Sequence, residues 1–202
     1  QTLLRDAVPE NRLRTYDVRT VVHTLVDEAS VLELRAGFGK GIVTALARVA
    51  GQTVGLLGNN NQHLGGAIDA EAADKAVHFM RLCNAQGWPL VSLVDTPGFM
   101  VGPDTEQTAQ VRRASALFLA AAQLKVPFFA IVLRKGYGLG AMAMTAGGFH
   151  APVFTVAWPS GEFGAMGLEG AVKLGYAKEL AAQPNDAARD ALYRRFGAIL
   201  HD

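Results

Sequence analysis

Short apolar segments alternate with amphipathic ones along most of this chain. Three segments, 89–95 (PLVSLVD), 127–133 (PFFAIVL) and 151–157 (APVFTVA), are apolar almost throughout. Strands that are buried on both faces have this pattern, because helices cover both sides of the sheet that they form. The pattern therefore predicts a mostly parallel sheet with helices on both faces, which is the α/β fold class.

Amphipathic segments at helical spacing lie between these strands. A helix is predicted over about residues 69–86, where Asp69 is positioned as its N-cap. A second helix is predicted over about residues 106–124, starting at Thr105, with Val111 on its apolar side. Both helices connect one apolar strand to the next, as a parallel arrangement requires.

The apolar runs 42–49 and 53–58 are rich in β-forming residues and are joined by Ala50-Gly51-Gln52. This spacing predicts a β-hairpin. Because the helix that begins at Asp69 follows the hairpin, the sequence predicts a strand–strand–helix unit. Residues 1–16 are polar and are interpreted as a peripheral arm, which leaves the folded domain over residues 17–202.

Composition narrows the class of protein. The chain has 202 residues and a formal net charge of +1, so nothing in its charge favours nucleic acid or an anionic membrane as a partner. The single cysteine, Cys83, excludes a disulfide framework and a multi-cysteine zinc site. No apolar run reaches the ~18 residues of a membrane span, and Gln1 is expected to begin neither a signal peptide nor a transit peptide.

Two partial motifs point to functions that the rest of the chain does not support. DTPG at 95–98 matches the switch element of GTPases, but the glycine spacing of a phosphate-binding loop is missing. Gly136 and Gly138 follow a strand as in a dinucleotide fingerprint, but the next glycine is Gly140 instead of residue 141. The five histidines are scattered, and Cys83 is interpreted as a buried structural thiol.

The glycine-rich strand-to-helix turn GYGLGAMAM (136–144) is the strongest candidate for chemistry. Backbone N–H groups at a helix N-terminus lack acceptors, and glycine allows a ligand to approach them. Such a turn can bind a phosphate or a developing oxyanion, although tight packing of helix on sheet is an alternative explanation. No strong side-chain base stands in the glycine loops, so the chemistry would depend on backbone donors.

Taken together, four loops resemble the carboxyltransferase component (β-type) of biotin-dependent acyl-CoA carboxylases, the acetyl-/propionyl-CoA carboxylase family. They are NNNQHLGGAID (59–69), LVDTPGFMVGPDTE (93–106), VLRKGYGLGAMAM (132–144) and FTVAWPSGEFGAMGLEGAV (154–172). PENRLRTYDVR (9–19) is also similar to the segment that joins the two halves of those subunits. The resemblance covers the second half of the family's chain, so a C-terminal domain that stops inside its last helix is expected.

The resemblance implies a crotonase-like fold (ClpP/crotonase), a spiral of strand–strand–helix units. It implies that carboxybiotin, presented by a carrier protein, loses CO₂ in the site. The biotin enolate then takes the α-proton of an acyl-CoA thioester, and the carbanion captures the CO₂. It places a backbone oxyanion hole for the biotin carbonyl at Leu139 and Gly140, or at Ala141 if the register slips by one.

Further residues are expected to line the same cleft from their loop positions. They are Gly65, Gly66, Asp95, Pro97, Gly98, Phe99, Tyr137, Gly138, Met142, Gly164 and Met166. Propionyl-type members carry an aspartate where this chain has Met142, which suggests a larger or more hydrophobic acyl group. Asp95 is equally compatible with a strand-end cap. Arg134 and Lys135 would reach phosphates of CoA, but solvated surface is the commoner position of such residues.

The expected cofactors are biotin on a partner domain and coenzyme A as thioester, with no metal. The expected partners are the missing N-terminal half, a biotin carboxyl carrier domain, biotin carboxylase, and further copies in a dimer or hexamer. The fragment is expected to be cytoplasmic and inactive alone. The alternatives are a crotonase-type acyl-CoA decarboxylase or hydratase and a non-catalytic carrier-docking scaffold.

Overall fold

The computed structural model describes residues 4, 6–9, 11 and 14–201, without the side chains of residues 169 and 198–201. The chain forms two compact units, Gln1–Phe163 and Gly164–Asp202. The first contains the β-sheet and the predicted site loops 59–69, 93–106 and 132–144. The second contains the last three helices.

The helices and strands of the first unit follow the predicted order closely. They are α1 (Val18–Leu25), β1 (Leu32–Leu34), β2 (Ile42–Val49), β3 (Gln52–Asn59), α2 (Ala70–Gln86), β4 (Leu90–Thr96), α3 (Pro103–Glu106), α4 (Gln110–Ala122), β5 (Phe128–Tyr137), α5 (Gly138–Met144), β6 (Phe154–Ala157) and β7 (Glu162–Gly164). The second unit continues with α6 (Leu168–Gly175), α7 (Ala177–Ala181) and α8 (Asp186–His201).

The sheet is mixed and has the order β1-β2-β3-β4-β5-β6, with β7 beside β5. β1, β2 and β3 are antiparallel, whereas β3, β4, β5 and β6 run parallel. The predicted hairpin is present, and Ala50 and Gly51 form its two-residue turn with φ of 50° and 79°. Positive φ at both turn residues matches the twist of a two-residue hairpin. The α/β fold class and the strand–strand–helix unit are confirmed.

Each face of the sheet packs on its own apolar cluster. Neighbouring strand residues point to opposite faces, so Leu57 and Val94 join the cluster under α2 and α4, while Leu56 and Leu93 join the cluster under α1. Cys83 lies in the first cluster, where burial raises the pKa of its thiol to about 12. The expected helices on both faces, and the buried cysteine, are therefore confirmed.

The second predicted helix is wrong in its start and its buried face. Residues before Ala109 form only the short α3, and Ala109 itself adopts φ 57°, which ends that turn before α4 begins. α4 buries Ala114 and Leu117, while Val111 is 64% exposed. Both sides of this helix carry apolar residues, so its periodicity did not identify the core side.

The segment 151–157 is less buried than its composition predicts. β6 covers only Phe154–Ala157, at an edge of the path of parallel strands, and Val153 before it is 68% exposed. An edge strand has one hydrogen-bonded neighbour instead of two, so apolar composition alone does not place it in the core. The expectation that the segment 151–157 forms a strand buried on both faces is wrong.

Part of the segment 1–16, expected to be a peripheral arm, contributes to the core. Val8 and Tyr16 are buried in the cluster that contains α1. Several residues of this segment, including most of the stretch before Val8, lie outside the described residues. The described part is attached to the sheet through Tyr16, whose backbone N–H donates to Asn61 Oδ1 at 2.9 Å.

Candidate active site

The loops that were expected to form a site follow three neighbouring parallel strands. β4 lies between β3 and β5, with Gly58 opposite Leu93 and Thr96 opposite Gly136. The carboxyl ends of parallel strands meet at one edge of a sheet, and ligands of α/β proteins bind outside that edge. The structure therefore brings the loops after β3, β4 and β5 together, as the sequence predicted.

The loop after β3 lies directly on the end of β4. Gly66 adopts φ 90°, and a Cβ built on it would stand 2.3 Å from the carbonyl oxygen of Asp95. Farther along, Ile68 N–H donates to the carbonyl oxygen of Gly98 and Met100 N–H donates to that of Ile68, each at 3.0 Å. Only glycine fits at position 66, because any side chain would separate the two loops.

The glycine-rich turn is shorter than predicted, because β5 continues to Tyr137 and α5 begins at the next residue. A Cβ on Gly140 would stand 2.7 Å from the backbone of Gly98 and 3.1 Å from the backbone nitrogen of Phe99. The first turn of α5 thus packs directly on the loop after β4, because Gly140 has no side chain to separate the two backbones. Tyr137, the N-cap residue, makes no side-chain capping hydrogen bond.

The proposed donors occupy the first turn of this helix. In an α-helix the N–H groups before the first i→i−4 hydrogen bond have no acceptor within the helix. Tyr137 is the N-cap of α5 and its carbonyl is the acceptor for Ala141, so the N–H groups without a helical acceptor include those of Gly138, Leu139 and Gly140. The Leu139 side chain is exposed, whereas Gly140 and Ala141 are buried. Met142 is half-buried on the same helix. These positions agree with donors at the start of α5, while their role as an oxyanion hole stays a prediction.

The remaining predicted residues differ in their surroundings. Gly65 and Pro97 are exposed, whereas Gly98 and Phe99 are half-buried. Tyr137 is buried, and its hydroxyl donates to Glu162 Oε2. Gly164 and Met166 belong to the second unit, and their part in the site stays a prediction.

Asp95 is fully buried at the end of β4 and is the centre of a polar network. Its Oδ2 accepts from Asn61 Nδ2 at 3.0 Å and pairs with Arg134 Nη2 at 3.2 Å. Its Oδ1 accepts from the backbone N–H of Lys135 at 3.1 Å and lies 3.6 Å from Lys135 Nζ. The backbone N–H of Asp95 donates to Asn59 Oδ1 at 3.1 Å. The carboxylate therefore connects the ends of β3, β4 and β5.

Arg134 is buried, and the sequence-based expectation of a solvated surface position was wrong. Its Nη1 donates to the carbonyl oxygen of Arg14 at 2.9 Å, and its guanidinium lies 5.2 Å from the ring centre of Tyr16. Burial and the charge of Asp95 together raise the pKa of Tyr16 above its usual value. The ion pair thus also holds the segment before α1 against the sheet.

Asn59 and Asn61 are residues of the site region that sequence reasoning did not single out, and it did not predict that Arg134 pairs with Asp95. One signal was available: the apolar strand β4 ends in Asp95, and the next strand, β5, continues from Leu133 into Arg134 and Lys135. In adjacent parallel strands such ends lie side by side, so opposite charges there predict a buried pair.

Burial and neighbouring charges act in opposite directions on Lys135. Burial lowers the pKa of Lys135, and Arg134 lowers it further, whereas the charges of Asp95 and Glu162 raise it. Among the described residues, no cluster of histidine, cysteine and carboxylate side chains is arranged to hold a metal ion. No helix in the described part of the chain is long and apolar enough to cross a membrane.

The geometry defines an α/β protein whose candidate site consists of backbone amides at a helix N-terminus, assembled by glycine contacts. Comparison with known proteins identifies the class. The sequence-family model of the carboxyl transferase domain matches residues 1–196, so this chain belongs to the carboxyl transferase domain family.

Curated relatives of this chain belong to the same family. The chain is 41% identical over 199 residues to the propionyl-CoA carboxylase beta chain of Rhodococcus erythropolis, covering 96% of this chain and 41% of that protein. It is 40% identical over 189 residues to the methylmalonyl-CoA carboxyltransferase 12S subunit of Propionibacterium freudenreichii subsp. shermanii, covering 93% of this chain and 36% of that subunit. The chain therefore spans about two fifths of the length of these relatives.

Solved structures give the same result. A single-chain, multi-domain long-chain acyl-CoA carboxylase superposes with a TM-score of 0.89 at 56% identity, covering 98% of this chain and 19% of that one. The structure of the transcarboxylase 12S hexamer with methylmalonyl-coenzyme A bound has a TM-score of 0.86 at 38% identity, covering 97% of this chain and 38% of that one. These similarities confirm the expected crotonase-like fold and the resemblance stated from the loops.

Proposed function

We propose that this chain is the C-terminal domain of an acyl-CoA carboxylase carboxyltransferase. It transfers a carboxyl group from carboxybiotin to the α-carbon of an acyl-CoA. The observation that carries the proposal is the start of α5, where unpaired amides stand at the convergent ends of three parallel strands and Gly140 packs on Gly98. Family membership and the named relatives support it.

The residues at the start of α5 fit the biotin carbonyl. Leu139 and Gly140 provide two neighbouring N–H donors at the positive end of a helix, where a developing negative charge on oxygen is stabilised. Because Gly140 has no side chain, the turn packs directly against the loop after β4, and this contact fixes the donors before the reaction. Carboxybiotin held by the Leu139 and Gly140 amides would supply the carboxyl group and, once that group has left, the base that takes the α-proton of the acyl-CoA.

Several partners complete this proposal. An N-terminal carboxyltransferase half, a biotin carboxyl carrier domain and a biotin carboxylase are expected to act with this chain in the cytoplasm, in a dimer or hexamer. The chain's coverage of only two fifths of its relatives and the hexamer named for the transcarboxylase 12S subunit support these partners. We expect this domain alone to be inactive, because the acyl-CoA side of the site would come from the other half.

The first experiment replaces Gly140 by alanine in the enzyme reconstituted from this chain and an N-terminal half. Transfer of the labelled carboxyl group from malonyl- or methylmalonyl-CoA to biocytin is followed. The added Cβ collides with the Gly98 backbone and displaces the turn. Loss of one oxyanion donor costs about 10²–10³-fold in rate, so a decrease of that order is expected. Gly148→Ala is the matched control, because its Cβ would meet open space.

The outcomes separate the proposal from its alternatives. Label lost from the thioester without biocytin would indicate a crotonase-type decarboxylase or hydrolase. No turnover of any thioester by the reconstituted enzyme would favour a carrier-docking scaffold. Biotin-dependent transfer that is equally fast in the Gly140→Ala and Gly148→Ala variants would exclude the oxyanion role of α5.

The acyl group is proposed to be long or strongly hydrophobic. Met142 follows the proposed donors on α5 and is half-buried, so an apolar side chain lies close to the reacting region. The similarity to a long-chain acyl-CoA carboxylase supports this substrate class. We expect Met142→Asp to shift the ratio of kcat/KM toward short acyl-CoAs by about 10-fold or more, because burying a carboxylate beside an alkyl chain is unfavourable. An unchanged chain-length profile would contradict this assignment.

A further inference from the structure

One side chain on β5 contacts both the loop after β3 and the end of β4. Lys135 lies on β5, two residues before Tyr137, and its side chain is 17% exposed. Its Nζ donates to the carbonyl oxygen of Gly65 at 2.5 Å and lies 3.6 Å from Asp95 Oδ1. The contact with Gly65 joins β5 to a residue 70 positions earlier in the chain.

The Gly65 segment depends on such a contact for its position. Gly65 and Gly66 both adopt positive φ, at 63° and 90°, and Gly65 is exposed. Gly66 rests on the backbone of Asp95, whereas the Gly65 carbonyl is held from the side by the lysine. Because two consecutive glycines have wide conformational freedom, the donor at Lys135 Nζ adds a constraint on the Gly65 carbonyl that the contact at Gly66 does not supply.

The charges around Lys135 come from three elements. Asp95 on β4 and Glu162 on β7 attract its ammonium, and Arg134 on β5 repels it. Asp95 is placed between the two cations and is completely buried, so it holds Lys135 in one direction. The lysine thus connects the end of β4 to the loop after β3.

We propose that Lys135 is a positioning residue of the carboxyl-transfer site, whose ammonium, anchored by Asp95, fixes the Gly65 carbonyl and with it the loop after β3 beside the strand that leads into α5. This inference rests on the proposed function above. In this proposal the Asp95–Lys135 pair fixes the shape of the biotin pocket, because the loop that it anchors and the N–H donors of α5 lie at the same ends of the strands.

The test is Lys135→Met in the reconstituted enzyme, since methionine keeps most of the apolar stem and removes the ammonium. A misplacement of about 1 Å can reduce the rate about 100-fold, so kcat is expected to decrease about 10- to 100-fold while KM for the acyl-CoA changes less than about threefold. Lys125→Met is the matched control, because Lys125 is an exposed lysine before the opposite end of β5.

Hydrogen exchange gives a readout that does not require turnover. Gly66 N–H donates to the His63 carbonyl at 3.0 Å and Ala67 N–H to the Leu64 carbonyl at 3.1 Å. In Lys135→Met these two amides are expected to exchange at least about 10-fold faster, as opening of the loop becomes easier. The Lys125→Met variant should leave their exchange unchanged.

Rescue distinguishes loss of the ammonium from damage to the fold. Alkylation of Lys135→Cys with 2-bromoethylamine forms a thioether to an aminoethyl group and restores a lysine-length ammonium. Cys83 is buried and its thiol pKa is raised, so it is protected from the reagent. The alkylated variant is expected to recover at least half of the wild-type kcat and the slow exchange of Gly66 and Ala67, whereas alkylated wild type serves as control.

Two results would overturn the inference. One is a Lys135→Met enzyme with wild-type kcat, and the other is a slow enzyme in which Gly66 and Ala67 exchange as in wild type. If the wild-type reconstituted enzyme transfers no carboxyl group, the proposed function fails instead. In that case faster exchange in Lys135→Met would still show that the lysine holds the loop.

Discussion

The middles and the carboxyl ends of the same three strands have opposite chemistry. Along β3, β4 and β5 the middle positions carry buried aliphatic side chains, such as Leu57, Leu93 and Val132. At their ends the buried side chains are polar or charged, as in Asn59, Asp95 and Arg134. The change occurs within two residues along each strand, although burial remains nearly complete.

The two regions contribute differently to the protein. Burial of apolar area stabilises the middle of the sheet in proportion to the area removed from water. A buried ion pair recovers little net free energy, because desolvation of both charges offsets their attraction. The Asp95–Arg134 pair is therefore better explained by the geometry it imposes on the loops than by the stability it adds.

Two substitutions in β4 compare the stability contributed by the end and by the middle of the same strand. Asp95→Ala should reduce the free energy of unfolding of this chain by about 3–5 kcal/mol, because Arg134 is left buried without its carboxylate. Leu93→Ala, two residues earlier, should reduce it by about 3 kcal/mol through loss of apolar contacts and formation of a cavity. Urea unfolding measures both.

A second substitution sharpens the comparison. Adding Arg134→Met to Asp95→Ala should restore at least half of the lost stability, because the fully buried cation is removed and only the partly exposed Lys135 ammonium has lost its carboxylate. Carboxyl transfer should not recover, since Lys135 has lost its anchor. In Leu93→Ala the activity per folded molecule should stay within about threefold of wild type. Full recovery of transfer in the double variant would contradict the positional role of Asp95.

A smaller effect concerns Lys75, a lysine buried on α2 away from these strand ends. Burial lowers its pKa from 10.5 to about 8. Between these values the unfolded chain binds more protons at this site than the folded chain, so the site's contribution to stability rises with pH from about 8 to 10.5. Lys75→Met should stabilise the chain by about 1–2 kcal/mol at pH 7, discounted for partial solvation, and by less at pH 10.

The exposed Lys40 provides the control for this pH dependence. Lys40→Met should change the free energy of unfolding by less than about 0.5 kcal/mol at both pH values. A stabilisation by Lys75→Met that is the same at pH 7 and pH 10 would show that the folded protein does not disfavour the charged lysine.

The sequence predicted most elements because their local signals agree with their tertiary surroundings. The capping Asp69, the hairpin turn at Ala50 and Gly51, and the apolar β4 each carry a pattern that packing then reinforces. The predicted start and buried side of α4 were wrong, because a break at Ala109 and apolar residues on both sides of the helix leave no local signal. The predicted burial of β6 was wrong, because an edge strand and a central strand can have the same composition.

The fold class, the family resemblance and the glycine-rich start of α5 could be read from the sequence, because these depend on residue types at fixed spacing. The network of Asp95, Arg134 and Lys135 and the packing of Gly140 on Gly98 became visible in the folded chain alone. These contacts join residues that are far apart in the chain. Their energies depend on distance and burial, which appear only when parallel strands bring the ends of β3, β4 and β5 together.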